Sequence, residues 1–167
     1  MFPIKIKRKA EKVIKLCLEK KIKLAFAESC TGGLLSSLIT SFPNSSKIFS
    51  CGYITYSNLS KEKMLGVSKK ILKKYGAVSV DVALAMASSA ATKANADIGI
   101  GITGIAGPGG ATKNKKVGDV YVALVHFKNK KFVQALDDGF LSLKGSREHI
   151  RLSSVDCALD CLLTVLE

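Results

Sequence analysis

Ile22-Lys23-Leu24-Ala25-Phe26-Ala27, running into Glu28-Ser29-Cys30-Thr31-Gly32-Gly33, decides the fold class of this chain. Ile22, Leu24 and Phe26 alternate with Lys23, Ala25 and Ala27, the period-two pattern of a strand. The paired glycines end that strand in a turn, and Leu34 to Thr40 then reads as a small helix that Pro43-Asn44-Ser45 breaks. A serine directly after a strand and before a helix can project its hydroxyl from the turn, while glycines let backbone N–H groups approach a ligand. Ser29 or Thr31 fits equally well as a cap of the helix.

Working outward, Ile6 to Lys20 carries Ala10, Val13, Ile14 and Cys17 at helical spacing, with lysines opposite. Phe49 to Tyr56 reads as a second strand, rich in aromatic and β-branched residues. Helical pieces follow at Leu59 to Leu65 and at Ser68 to Tyr75, the latter closed by Gly76. Ser79 fits as the cap of an alanine-rich helix from Val80 to Ala94. Asp97 to Thr103 is a buried strand, and Gly104 to Gly118 a glycine-rich loop. Val120 to Phe127 and Phe132 to Leu141 form a hairpin around Lys128-Asn129-Lys130-Lys131, and Ser146 caps a final helix reaching Leu166. Strands alternating with helices, plus a hairpin, predict a mixed sheet with helices on both faces, here as one domain over 1–167, since no repeat or linker interrupts the pattern. Sites in such sheets form beyond the carboxyl ends of the strands. The loops 28–33, 56–61 and 103–110 meet that condition and hold nearly all the unusual chemistry.

Composition narrows the function classes. With 47% hydrophobic and 23% charged residues over 167, the chain is ordinary for a globular domain able to bury a core. No apolar run approaches the roughly 18 residues of a membrane span, and the basic start lacks the apolar region of a secretory signal, so the cytoplasm is expected. Cys17, Cys30, Cys51, Cys157 and Cys161 are odd in number and include no C-x-x-C pair, the profile of reduced thiols. Cys157 and Cys161 share a helical face without further ligands nearby, so no metal is expected. The net charge of +13 attracts anions. Lysine outnumbers arginine 23 to 3 and tryptophan is absent, however, which favours solvated lysine faces over nucleic-acid reading.

A serine nucleophile needs a base. His126 lies within a strand pattern and His149 in the first turns of the last helix, so both read as structural and a Ser-His-Asp triad is disfavoured. Lys61, closing Tyr56-Ser57-Asn58-Leu59-Ser60-Lys61, is the alternative, because a lysine removed from water loses proton affinity. Its competing reading is a solvated surface lysine. Tyr56, Ser57 and Asn58 are positioned to bond a substrate or fix that amine. Cys30 is the rival nucleophile. Thr103-Gly104-Ile105-Ala106-Gly107-Pro108-Gly109-Gly110 builds a turn exposing successive amides, a nest for an oxyanion or phosphate. No Walker motif is present, and Gly99-Ile100-Gly101-Ile102-Thr103-Gly104 spells G-x-G-x-x-G inside a strand with no helix after it, so a dinucleotide fold is excluded. Arg147 and Arg151, one helical turn apart, read as a phosphate clamp or as partners of Glu148 and Asp156.

Together, Ala27 to Gly33, Thr55-Tyr56-Ser57-Asn58 with Lys61, Gly76-Ala77-Val78-Ser79 and Thr103 to Gly110 resemble the C-terminal domain of the competence/damage-inducible protein CinA, a family that includes nicotinamide mononucleotide deamidases. The likeness runs along nearly the whole chain. It implies a three-layer α/β/α sandwich around a mixed sheet of about five strands, homo-oligomeric assembly, and deamidation of nicotinamide mononucleotide in pyridine nucleotide salvage, without metal or organic cofactor. The N-terminal domain of two-domain relatives, similar to molybdopterin-binding proteins, is not expected here. Carried over, Ser29 is the nucleophile and Lys61 its base. Tyr56, Asn58, Thr103, Gly104 and Gly107 line the site, amides of Thr31, Gly32 and Gly33 or of the 103–110 loop hold the oxyanion, and Arg147 faces the phosphate. Cys51, Asp119 and Ser146 depart from the usual glycine, threonine and aspartate. A catalytically silent nucleotide-binding module and a nucleic-acid accessory protein are the alternatives.

Overall fold

A computed structural model describes residues 2–167, the side chains of 137 and 138 excepted. Five strands form one sheet in the order β2-β1-β3-β4-β5. They are β1 (Leu24–Glu28), β2 (Phe49–Ile54), β3 (Ile98–Gly104), β4 (Asp119–Lys128) and β5 (Lys131–Ser142), with β1 parallel to β2 and β3, and β4 antiparallel to both β3 and β5. The helices are α1 (Ile4–Lys20), α2 (Leu34–Thr40), α3 (Asn58–Leu65), α4 (Lys69–Tyr75), α5 (Val80–Ala94) and α6 (Arg147–Leu166). The expected three-layer α/β/α sandwich is the observed architecture. No described helix is long and apolar enough to cross a membrane.

Alternation along the strands assigns the two faces. Leu24 and Phe26 of β1 join Ile98, Ile100 and Ile102 of β3 in a core covered by α1, α2 and α6. Ala25 and Ala27 point the other way, into a second core with Leu65, Leu72, Val82, Met86 and Ala90. Small side chains on that face let α5 lie against the sheet. A Cβ built at Gly99 would sit 2.0 Å from the Ala87 carbonyl oxygen, and one at Gly101 2.1 Å from that of Ala83. The G-x-G pair is therefore a helix-packing device, as its position within a strand implies.

Boundaries follow local chemistry. Ile22 does not begin β1: Lys21 adopts a left-handed conformation and the Ile22 amide returns to the Cys17 carbonyl at 2.9 Å, so Ile22 belongs to the closure of α1. β2 stops at Ile54 rather than Tyr56, because Ser57 and Ser60 form a reciprocal capping box that starts α3. Ser79 and Ser146 cap α5 and α6 as expected. Since β1, β2 and β3 are parallel neighbours, their carboxyl ends bring the turn 29–33, the segment 55–61 and the loop after Gly104 to one edge.

Candidate active site

The turn after β1 is fixed from below by Glu28. This carboxylate is fully buried, and its two oxygens accept hydrogen bonds from the amides of Ser36 (2.9 Å) and Leu35 (3.1 Å) and from the Ser36 hydroxyl (2.7 Å). α2 begins after Gly33, which has no side chain to cap it, so Glu28 supplies the missing acceptors. The first-turn amides of α2 are thereby occupied, and at that helix end the amide of Gly33, just before the helix, is left open. Sequence reasoning quoted Glu28 without giving it a role. The signal was a helix start lacking Ser, Thr, Asp or Asn beside a carboxylate at a strand end.

Ser29 and Lys61 meet. Lys61 Nζ donates to Ser29 Oγ at 3.0 Å and to the Thr55 carbonyl oxygen at 2.7 Å, and both side chains are buried, Lys61 at 1% exposure. The solvated-surface reading of Lys61 fails for this reason: α3 points the side chain inward, beneath the end of β2. Burial lowers the Lys61 pKa to about 8, against a smaller opposing pull from Cys30. An amine that is partly neutral near physiological pH, in contact with an alcohol, has the geometry that a nucleophile and its base require. Cys30 is buried in the core on the α1, α2 and α6 side, and burial pushes its thiol up to about 11, which removes it as a rival.

The third wall is the loop between β3 and β4. The Ile105 amide bonds to Asp119 and the Gly118 amide to Ile105, whereas no hydrogen bond among the described residues uses the amides of Gly33, Ala106 or Gly107. Those amides are free to meet an anion, whereas the Cys30 and Thr31 amides face the Cys30 thiol. α6 closes the site with its two arginines. Arg147 donates to the Gly107 carbonyl oxygen (2.6 Å) and to the Tyr56 hydroxyl (3.0 Å), and Arg151 donates to the Thr31 carbonyl oxygen (2.6 Å). Neither pairs with Glu148 or Asp156, and Asp156 instead bonds Lys9.

Other expected positions take different parts. The Thr103 hydroxyl is buried and donates to Ala77 at 2.7 Å, tying β3 to the turn before α5. Gly104 is needed by packing, because a Cβ there would lie 2.6 Å from Val120 Cγ2. Gly107 has φ +78° and presents its carbonyl to Arg147. Asn58 lies exposed in the first turn of α3, and the Thr55 backbone, not Asn58, holds the lysine. Gly32 and Gly33 adopt positive φ, as the turn requires. The Gly32 amide is spent on the Ser29 carbonyl. Among the described residues, no group of three or more His, Cys, Asp or Glu is placed to hold a metal ion. A cavity of about 410 Å³ beside Asn95, Asp97, Phe127 and Lys130 lies at the opposite end of the sheet and holds no nucleophile–base pair.

A sequence profile described as the CinA C-terminal domain matches residues 6–166. A protein of Caldicellulosiruptor saccharolyticus, provisionally named competence-damage inducible protein, is 45% identical over 152 residues, covering 91% of this chain and 36% of that protein. A like-named protein of Thermoanaerobacter pseudethanolicus is 47% identical over 150 residues, covering 90% and 35%. This chain thus spans little more than a third of the curated relatives it matches. Among solved structures, the competence/damage inducible protein CihA from Agrobacterium tumefaciens superposes with a TM-score of 0.90 at 35% identity, covering 100% of this chain and 99% of that one. A CinA superfamily protein from Escherichia coli gives 0.84 at 31% identity, covering 96% and 90%.

Proposed function

This chain belongs to the CinA C-terminal domain family, and we propose that it acts as an amidase, hydrolysing the carboxamide of nicotinamide mononucleotide to nicotinate mononucleotide and ammonia. The observation that carries the reading is the buried Lys61 amine 3.0 Å from the Ser29 hydroxyl.

In the proposed sequence, neutral Lys61 takes the proton of Ser29 as Oγ attacks the carboxamide carbon. The amides of Ala106 and Gly107, with Gly33, hold the developing oxyanion, where one donor is worth about 3 kcal/mol. Lys61 returns the proton to the departing nitrogen, which leaves as ammonia. Water, deprotonated by the same amine, then opens the ester and frees Ser29. Thr55 supports this cycle because its carbonyl accepts from the amine in either protonation state. Arg147 stands at the rim with Tyr56, a residue 61% exposed, a cation and a flat ring suited to a phosphate and a pyridine or ribose face. Exposed Ile54, Leu59 and Met64 near Lys61 support assembly with further copies. The nucleic-acid reading has less support, since arginine is scarce and tryptophan absent.

The test is ammonia release from nicotinamide mononucleotide, with nicotinate mononucleotide identified as product. Turnover is expected from the wild-type chain. Binding of the nucleotide without ammonia release would instead favour a silent binding module.

A further inference from the structure

We propose that Arg151 is a positioning residue for the nucleophile turn, acting through the Thr31 carbonyl to hold the orientation in which Ser29 and the Gly33 amide face a substrate. The inference rests on the Ser29–Lys61 reading above and assigns the second α6 arginine a place within it.

The turn has little of its own to keep it in place. Gly32 and Gly33 take φ values of +59° and +90°, and the internal bonds are Gly32 amide to Ser29 carbonyl at 3.1 Å and Leu34 amide to Thr31 carbonyl at 3.3 Å. A glycine after Thr31 leaves the intervening peptide free to rotate, because no Cβ resists the new φ. Rotation would swing the Thr31 carbonyl away and turn the Gly32 amide off Ser29. Arg151 opposes that motion. Its Nη2 meets the Thr31 carbonyl oxygen at 2.6 Å, the shortest bond to the turn, and a Cβ placed at Gly32 would lie 3.6 Å from the same nitrogen. The guanidinium therefore covers the outer face of the turn while Glu28 anchors the helix that follows.

The cost of this arrangement argues that it does more than pack. Arg151 Nε is buried without a partner, and no carboxylate lies within ion-pair distance of the guanidinium among the described residues. A partly buried cation held by one carbonyl is a poor stabilising device. Thr31 is itself fully buried, and its Oγ1 also lacks a partner. One turn earlier on the same helix face, Arg147 bonds the Gly107 carbonyl. α6 thus places one guanidinium on a carbonyl of the nucleophile turn and one on a carbonyl of the loop after β3.

The experiment compares wild type, Arg151→Ala and Arg151→Lys in ammonia release from nicotinamide mononucleotide and in labelling by a fluorophosphonate serine probe. Misplacing a nucleophile by about 1 Å costs up to about 100-fold. Arg151→Ala is expected to lose about 10- to 100-fold in kcat and in labelling rate, with KM nearly unchanged and the pH limb set by Lys61 retained. Free guanidinium at tens of millimolar should restore kcat several-fold in Arg151→Ala and leave Ser29→Ala inactive. Arg151→Lys should recover little, because the ammonium lacks the planar fork. Wild-type kcat in Arg151→Ala overturns the inference. So does a loss that tracks a lowered unfolding midpoint and is not rescued. A wild-type chain that neither releases ammonia nor takes the probe overturns the Ser29–Lys61 reading together with it, whereas an active wild type with an equally active Arg151→Ala overturns this inference alone.

Discussion

Replacing Lys61 with methionine should change how stability depends on pH, in a direction set by burial. The amine is 1% exposed, and its pKa falls from the ordinary 10.5 to about 8. A difference of 2.5 units at 1.36 kcal/mol each means that carrying the proton costs the folded chain about 3 kcal/mol relative to the unfolded one. Below about pH 8 both states hold the proton and the full cost is present. Between about 8 and 10.5 the folded chain has released it while the unfolded chain has not, so stability rises with pH. Above 10.5 the cost is gone. Methionine carries no such dependence. The other lysines and the tyrosines titrate in the same range, so the quantity to measure is the difference in unfolding free energy, wild type minus Lys61→Met, by urea titration at pH 8, 9 and 10. It should rise by about 2 kcal/mol across that interval, favouring the wild type at the alkaline end. Its absolute value includes the Thr55 carbonyl left without a donor, worth about 1–3 kcal/mol, which cancels in the pH trend. A flat difference would refute the buried amine, and a falling one would mean that Lys61 is held by a negative partner instead.

Two further outcomes follow from the same site. The kcat/KM for ammonia release should climb through a limb at about pH 8 and level off above it, because the base must be neutral and only about a tenth is neutral at pH 7; a limb above pH 9.5 would exclude the depressed lysine. Glu28→Gln should lower stability by about 2 kcal/mol, since the new amide group must face either the Leu35 or the Ser36 amide, donor to donor, in a buried space. Thermal unfolding would report this as a fall of about 4–8 °C, and an unchanged midpoint would show that the carboxylate is not what holds α2.

The sheet and its helices were largely legible because their punctuation is local. α2, α5 and α6 run between the expected residues, since Ser79 and Ser146 cap the two longer helices and Pro43 lies just beyond α2. Ile22 misled because alternation with Phe26 continues smoothly from a helix closure that only the left-handed Lys21 reveals. The site was less legible. Ser29 and Lys61 are 32 residues apart, and nothing in either neighbourhood states that the α3 side chain turns inward; the family resemblance, not the local pattern, singled them out. Thr103 reads as a site residue because it ends a strand beside a glycine-rich loop, and only the assembled layers show that its hydroxyl proton goes to Ala77. Glu28 and Arg151 went without firm roles for a shared reason: each acts on backbone atoms of a turn whose geometry appears only once the layers are assembled.

The account stands or falls on the alcohol that attacks. Ammonia release from nicotinamide mononucleotide by Ser29→Ala, beside wild type and with folding verified by an unchanged unfolding midpoint, measures it directly. The predicted result is a loss of at least about 1,000-fold, as expected when a covalent nucleophile is removed. Turnover near the wild-type rate would contradict it.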